Sequence, residues 1–253
     1  MGEHVAPASP TRKKRSNIFW NIVGVVGELL ITFAFIVGLF SVWQLYWTTY
    51  EVAGQVSQTI ASYEEEHQPS KRTLGEVRTD DPPAFDREVG DGEVYGLVHV
   101  PTWDWMKIPL AEGTTSYVLD QGWAGHYDMT TQPGGVGNFS VAGHRRTYGN
   151  NFRWIDRLTQ GDKVVVEVDD RYLVYSMVSS EIIDATDPTQ MRVVAPVIDD
   201  VSWSETPTER WMTMTTCHPE YGNWQRYIVH LKFESWTPKD TGVPAELVDE
   251  PTN

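Results

Sequence analysis

The sequence predicts a mainly β domain, closed as a barrel or layered as a sandwich, behind a single N-terminal membrane-spanning helix. Two observations carry this. An uncharged apolar run lies near the N-terminus, and a series of short β-branched and aromatic runs follows between residues 93 and 236 with few helical stretches among them.

The helix comes first in the chain. Residues 1–17 are polar and hold the cations Arg12, Lys13, Lys14 and Arg15. The sequence turns apolar at Ile18, and no charged residue occurs from Leu29 to Tyr50. That uncharged stretch as a helix spans about 33 Å, enough for a hydrocarbon core of about 30 Å. Trp20 at one end and Trp43, Tyr46, Trp47 and Tyr50 at the other match the aromatic belts of membrane interfaces. A cleaved signal peptide would have a shorter apolar region followed by a small-residue cleavage site, so a retained anchor over 18–50 is expected. The cations preceding it put the N-terminus in the cytoplasm and the rest of the chain outside.

Residues 51–92 read as a juxtamembrane helix and then a flexible tether, because 51–66 has helical composition while 67–92 is rich in charge, Pro and Gly. Strands are expected at Glu93–Val100, Trp105–Pro109, Asn138–Ala142, Lys163–Val168, Tyr172–Ile183, Trp211–Thr216 and Arg226–Trp236. Short helices suit Thr114–Gln121 and Asn151–Leu158, and 184–202 reads as a long irregular connection. Residues 237–253 are expected to form a disordered acidic tail. The formal net charge is −15 for the whole chain; beyond the anchor, whose flank is basic, 33 anions face 16 cations. Such a domain lacks the basic stripe that a nucleic-acid surface requires.

A single cysteine, Cys217, excludes an intrachain disulfide. In an outward-facing domain a lone thiol pairs with another chain, is buried, or reacts. Trp211–Cys217 is a strand ending at that cysteine, with Pro219 stopping it. A turn containing Gly222 and Asn223 then leads to a strand beginning at Arg226. If the two strands pair as a hairpin, Arg226 faces Cys217. A thiolate attacking a carbonyl needs a donor for the developing oxyanion, which a guanidinium supplies, and a proton carrier for the leaving amine. Of seven histidines, His4 is cytoplasmic and His67 lies in the tether, while His99 and His230 read as packed or exposed strand residues. His126, His144 and His218 remain. His144 ends a strand, flanked by Gly143, as Cys217 ends another. Taken singly, each residue has a plainer reading. A lone Cys is most often a small buried hydrophobe, a strand-end His is most often packed or solvated, and an Arg is most often a surface charge.

Longer motifs narrow this. Thr213-Met-Thr-Thr-Cys217 resembles the T-L-x-T-C signature of sortases, with Met214 where leucine is usual, and Arg226 stands at the family's arginine position. Gly125-His126-Tyr127, Pro133-Gly134 and Gly137-Asn138-Phe139, leading to Val141-Ala-Gly-His-Arg145, resemble the surroundings of the sortase histidine. Cys217-His218-Pro219, Tyr148-Gly149 and Gly27-Glu28-Leu29-Leu30 are most similar to class E sortases of actinobacteria. The resemblance covers the anchor and about 93–236.

It implies an eight-stranded sortase-type β-barrel over 93–236 in a Gram-positive cell-wall-anchoring enzyme. Cys217 would be the nucleophile, His144 the general acid/base and Arg226 the oxyanion or substrate clamp. Thr216, His126 and Tyr127 would contact substrate. The implied reaction cleaves an L-P-x-T-G-type sorting signal at Thr–Gly through a thioacyl intermediate, with alanine in place of the proline as the class preference. The implied partners are secreted proteins bearing that signal, a lipid-linked peptidoglycan precursor as acyl acceptor, and membrane lipid. No cofactor or metal is implied. The acidic pairs Asp169-Asp170 and Asp199-Asp200 read as turns rather than calcium ligands. Two alternatives stand beside this reading. One is a pilin-polymerising sortase, disfavoured because Asp81-Pro82-Pro83 lies in the tether and no second apolar span is evident. The other is a non-catalytic binding barrel tethered to the membrane.

Overall fold

The computed structural model describes residues 18–67 and 72–251. The Arg12–Arg15 cluster lies outside these residues. The chain divides into two compact units, Met1–Gln44 and Leu45–Asn253. Helix α1 runs over Ile18–Glu66, and its segment Phe19–Trp43 is long and apolar enough to cross a membrane.

In the second unit eight strands close a barrel. They are β1 (Val94–Val100), β2 (Met106–Glu112), β3 (Ala124–His126), β4 (Gly137–Ala142), β5 (Lys163–Val168), β6 (Arg171–Asp184), β7 (Arg210–His218) and β8 (Gln225–Pro238), with helix α2 (Ser116–Leu119) before β3. Their order around the barrel is β1-β2-β3-β4-β7-β8-β6-β5. Pairs β2–β3 and β4–β7 are parallel and the others antiparallel. Closure leaves no free edge.

Side chains alternate between two environments, as the two-residue period of a strand demands. Phe139 and Val141 of β4, Met212 and Met214 of β7, and Val229 and Leu231 of β8 fill the interior with Tyr95, Leu110 and Tyr175. On the outer face, Ile183 and Ile228 pack with Val193 and Val194 of the 185–209 connection. Asn138 fixes that connection by donating to the carbonyls of Val193 (3.0 Å) and Ala195 (3.1 Å).

Three expectations need correction. Strand β3 was not foreseen. It is three residues long and centred on Gly125, where a Cβ would collide with the Gly113 carbonyl oxygen, so the position demands glycine rather than a β-former. The segment taken as a flexible tether packs on the barrel over its described residues. Arg78 and Trp236 exchange backbone hydrogen bonds (2.8 and 2.9 Å), and Phe85 and Val89 lie against the main core. The tail expected to be disordered is also docked as far as Glu250. Val243 and Leu247 pack with Val165, Tyr172 and Val174. The outer face of β5–β6 is apolar and must be covered. Val243 and Leu247 of the acidic tail do this, and the charge-rich composition around them conceals it.

Polar contacts reinforce the cover. His99, buried on β1, lies 2.9 Å from Glu167 and 2.8 Å from Glu250 in the tail. Lys239 pairs with Glu167 (2.6 Å), and Lys107 with Glu250 (3.2 Å) and with Glu64 near the end of α1 (2.6 Å). Burial by itself would lower the His99 pKa. The hydrogen bonds and charges of the two glutamates outweigh it and hold the imidazole at about 9.

Candidate active site

The β7–β8 hairpin places Cys217 directly opposite Arg226. Residues opposite one another in an antiparallel pair share a face. Here that is the outer face, which Thr213 and Thr215 occupy farther along β7. Cys217 is partly exposed. The Arg226 guanidinium donates from one nitrogen to the carbonyls of Asn223 (2.7 Å) and Gln225 (3.0 Å), which ties it to the turn between the strands.

The parallel β4–β7 pair delivers the histidine. Ala142 is in register with Thr215. His144 is two residues beyond Ala142 and Cys217 two beyond Thr215, so both reach the same end of the barrel. Gly143 extends the pairing by donating to the Thr215 carbonyl (3.1 Å), and the Thr216 hydroxyl donates to the Gly143 carbonyl (2.7 Å). Glycine is required there because a Cβ would press on the ring of Phe152. Nε2 of His144 lies 2.8 Å from Oδ1 of Asp120, just past α2. The Tyr148 ring lies 5.2 Å from the imidazole at 32°.

The neighbours of the two strand-end residues are themselves joined. Arg145, next to His144, donates to Nδ1 of His218 (2.9 Å), next to Cys217, and to Asp156 (2.8 Å). Its guanidinium also lies over the Tyr227 ring at 5.6 Å. Partial burial and then the charge of Arg145 hold the His218 pKa below its ordinary value, which keeps Nδ1 an acceptor.

The three residues expected to contact substrate separate. Tyr127 is on the outer face, its hydroxyl 2.9 Å from that of Thr215, and it packs against the outer apolar cluster. Thr216 and His126 are both buried. Thr216 follows Met212 and Met214 in strand alternation, is buried, and is spent on the Gly143 carbonyl; Thr215 is the threonine sharing the Cys217 face. His126 is fully buried, 2.8 Å from Glu112 and 3.0 Å from the Thr131 carbonyl, with the Phe139 ring 5.2 Å away. It supports the core.

Asp120 and Asp156 were not legible in the sequence as members of the site. Arg145 and His218 each adjoin a residue already singled out, and that adjacency was the available signal. Asp120 carried none. Among the acidic pairs, Asp199 engages Arg192, and Asp200 accepts backbone hydrogen bonds from Ser202, Ser204 and Glu205.

Residues 98–234 match the sortase domain family. Sortase SrtE1 of Streptomyces coelicolor is 36% identical over 229 residues, covering 88% of this chain, which spans 60% of the length of that relative. Sortase SrtE2 of the same organism is 31% identical over 223 residues, 86% of this chain and 84% of the relative. Among solved structures, the SrtA sortase of Actinomyces oris superposes with a TM-score of 0.64 at 43% identity, over 70% of this chain and 100% of that one. Sortase E1 of Streptomyces coelicolor, with a tripeptide in its active site, gives 0.55 at 38%, over 63% and 99%.

Proposed function

This chain belongs to the sortase family and is similar to class E sortases, and from that membership we propose that it is a membrane-anchored cysteine transpeptidase with Cys217 as nucleophile, His144 as proton carrier and Arg226 as oxyanion or substrate clamp. The carrying observation is the register. Cys217 faces Arg226 across β7–β8, and the parallel β4–β7 pair brings His144 to the same end. A thiol, an imidazole and a guanidinium collected there are the groups that acyl transfer requires.

The proposed donor is a secreted protein with a C-terminal L-P-x-T-G-type signal, L-A-x-T-G by class, cleaved between Thr and Gly. A cell-wall precursor amine, lipid-linked, resolves the thioacyl enzyme. Tyr127, on the outer face and bonded to Thr215, is the proposed substrate contact. Phe19–Trp43 is the proposed single-pass anchor, with the Arg12–Arg15 side cytoplasmic and the barrel outside, where donor and acceptor both reside.

The test is cleavage of a small panel of L-P-x-T-G and L-A-x-T-G peptides with mass spectrometry of the products. Cleavage at Thr–Gly with a thioacyl adduct on Cys217 is expected. Failure to cleave any member, or an adduct elsewhere, would overturn the reading.

A further inference from the structure

His144 has two ring nitrogens, and the surrounding structure distinguishes them. Nε2 is 2.8 Å from Oδ1 of Asp120. A carboxylate only accepts, so Nε2 carries the proton, and in the neutral ring Nδ1 then holds the free lone pair. Asp120 is itself fixed. It caps the short helix α2, its backbone N–H donating to the carbonyls of Ser116 and Val118. Gly122 follows at φ +78°, where a Cβ would meet Val52 and Val56 of α1, so the chain just past Asp120 is pressed against that helix. On the other side, Tyr148 lies along the imidazole, its backbone in the left-handed region at φ +50°. A non-glycine residue held there is a local strain of the kind that accompanies functional sites. The ring is thus gripped at one nitrogen and along one face.

We propose that Asp120 is the positioning residue of the histidine: it fixes the Nε2–H tautomer, so that Nδ1 is the nitrogen that exchanges protons with the thiol and the amines. This rests on the reading of His144 as proton carrier given above. In the acylation half, Sγ of Cys217 bonds to the threonine carbonyl carbon as the thiol proton passes to Nδ1. The carbon–nitrogen bond then breaks, and that proton leaves on the glycine amine. In the second half the acceptor amine attacks the thioester carbon, its proton passes to Nδ1, and from there to the departing thiolate. Each step moves one proton through Nδ1, and the Asp120 hydrogen bond persists throughout.

The experiment compares Asp120→Asn, Asp120→Glu, Asp120→Ala and His144→Ala in the full-length protein, using the peptide that the wild type cleaves fastest. Nitrogen NMR of ¹⁵N-histidine-labelled full-length protein reads the tautomer independently of activity, with the His144 signal assigned by its loss in His144→Gln. Asparagine is nearly isosteric with aspartate, so a purely structural role would tolerate it. If Asp120 sets the tautomer, the asparagine amide can instead donate to Nε2 and favour the Nδ1–H form, which removes the base. The expected result is kcat about 10²–10⁴-fold lower in Asp120→Asn with KM little changed, partial recovery in Asp120→Glu, and an Nε2–H signal in the wild type that Asp120→Asn loses. Near-wild-type turnover in Asp120→Asn, or an Nδ1–H wild type, overturns the proposal. Retained turnover in His144→Ala overturns instead the reading on which it rests, and the proposal with it.

Discussion

Cys217 and Arg226 are direct cross-strand partners in the β7–β8 hairpin, although the guanidinium is turned onto the carbonyls of Asn223 and Gln225. The arginine is anchored beside Cys217 by the turn and has further N–H donors to offer. Arg226→Ala is therefore expected to leave thiol labelling of Cys217 intact while lowering peptide cleavage by roughly 10²–10³-fold, the usual cost of one oxyanion donor. Arg226→Lys should remain impaired, because a point charge cannot serve the turn carbonyls and substrate as a planar fork does. Labelling rates and kcat/KM measured on the same preparations decide this, and Cys217→Ala supplies the blank.

Arg145 links the residues next to the two strand-end groups, so its loss should be felt at both. Arg145→Ala leaves Nδ1 of His218 without its donor and empties a buried position, costing about 1–3 kcal/mol. Cleavage should fall as well, because the ends of β4 and β7 lose a tie. Arg145→Lys should recover only part, since one ammonium does not reproduce the fork joining His218 to Asp156. Thermal midpoints beside kcat/KM test this. Wild-type values for Arg145→Ala in both would show the link to be idle.

The docked segments predict where the barrel can be trimmed. Tyr63 and Val52 of α1 are buried within the second unit, and residues 74–89 pair with and pack on the barrel. A chain beginning at residue 45 should melt as the intact protein does. One beginning at residue 93 exposes the faces those side chains cover, a loss of at least about 2–3 kcal/mol, or roughly 5–10 °C. Equal melting temperatures for the two truncations would mean that these segments add nothing to the fold.

The buried His99 cluster gives stability a pH dependence whose sign is fixed. The folded protein holds His99 at about 9, above the ordinary 6.5, so folding retains a proton that the unfolded chain releases between those values. The contribution is full below about pH 6.5 and is lost as pH rises toward 9. The thermal midpoint should fall across that interval, and His99→Gln should flatten the slope. A slope unchanged in His99→Gln would place its source elsewhere.

What could be read from the chain was what neighbours in sequence decide. The hairpin joining Cys217 to Arg226 follows from two strands separated by a short turn. The strand-end position of His144 follows from Gly143 and the apolar run before it, and the long apolar helix follows from an uncharged run of sufficient length. What could not be read was which face a residue takes when its strand's environment comes from elsewhere. Thr216 and His126 carry the right letters beside the right residues, yet point inward, because Met214 and Val141 fix the parity of those strands against the core.

Seven of the eight strands, the apolar helix and a lone thiol at a strand end are legible in the chain itself, because a two-residue side-chain period, turn length and hydrophobic length are local properties. Folding alone brings Asp120 to His144 and Arg145 to His218, and closes Val243, Leu247 and Glu250 over the outer face of the barrel. These contacts join residues from separate elements. Their distances are set by barrel closure and by the demand to cover apolar surface, which no local spacing encodes.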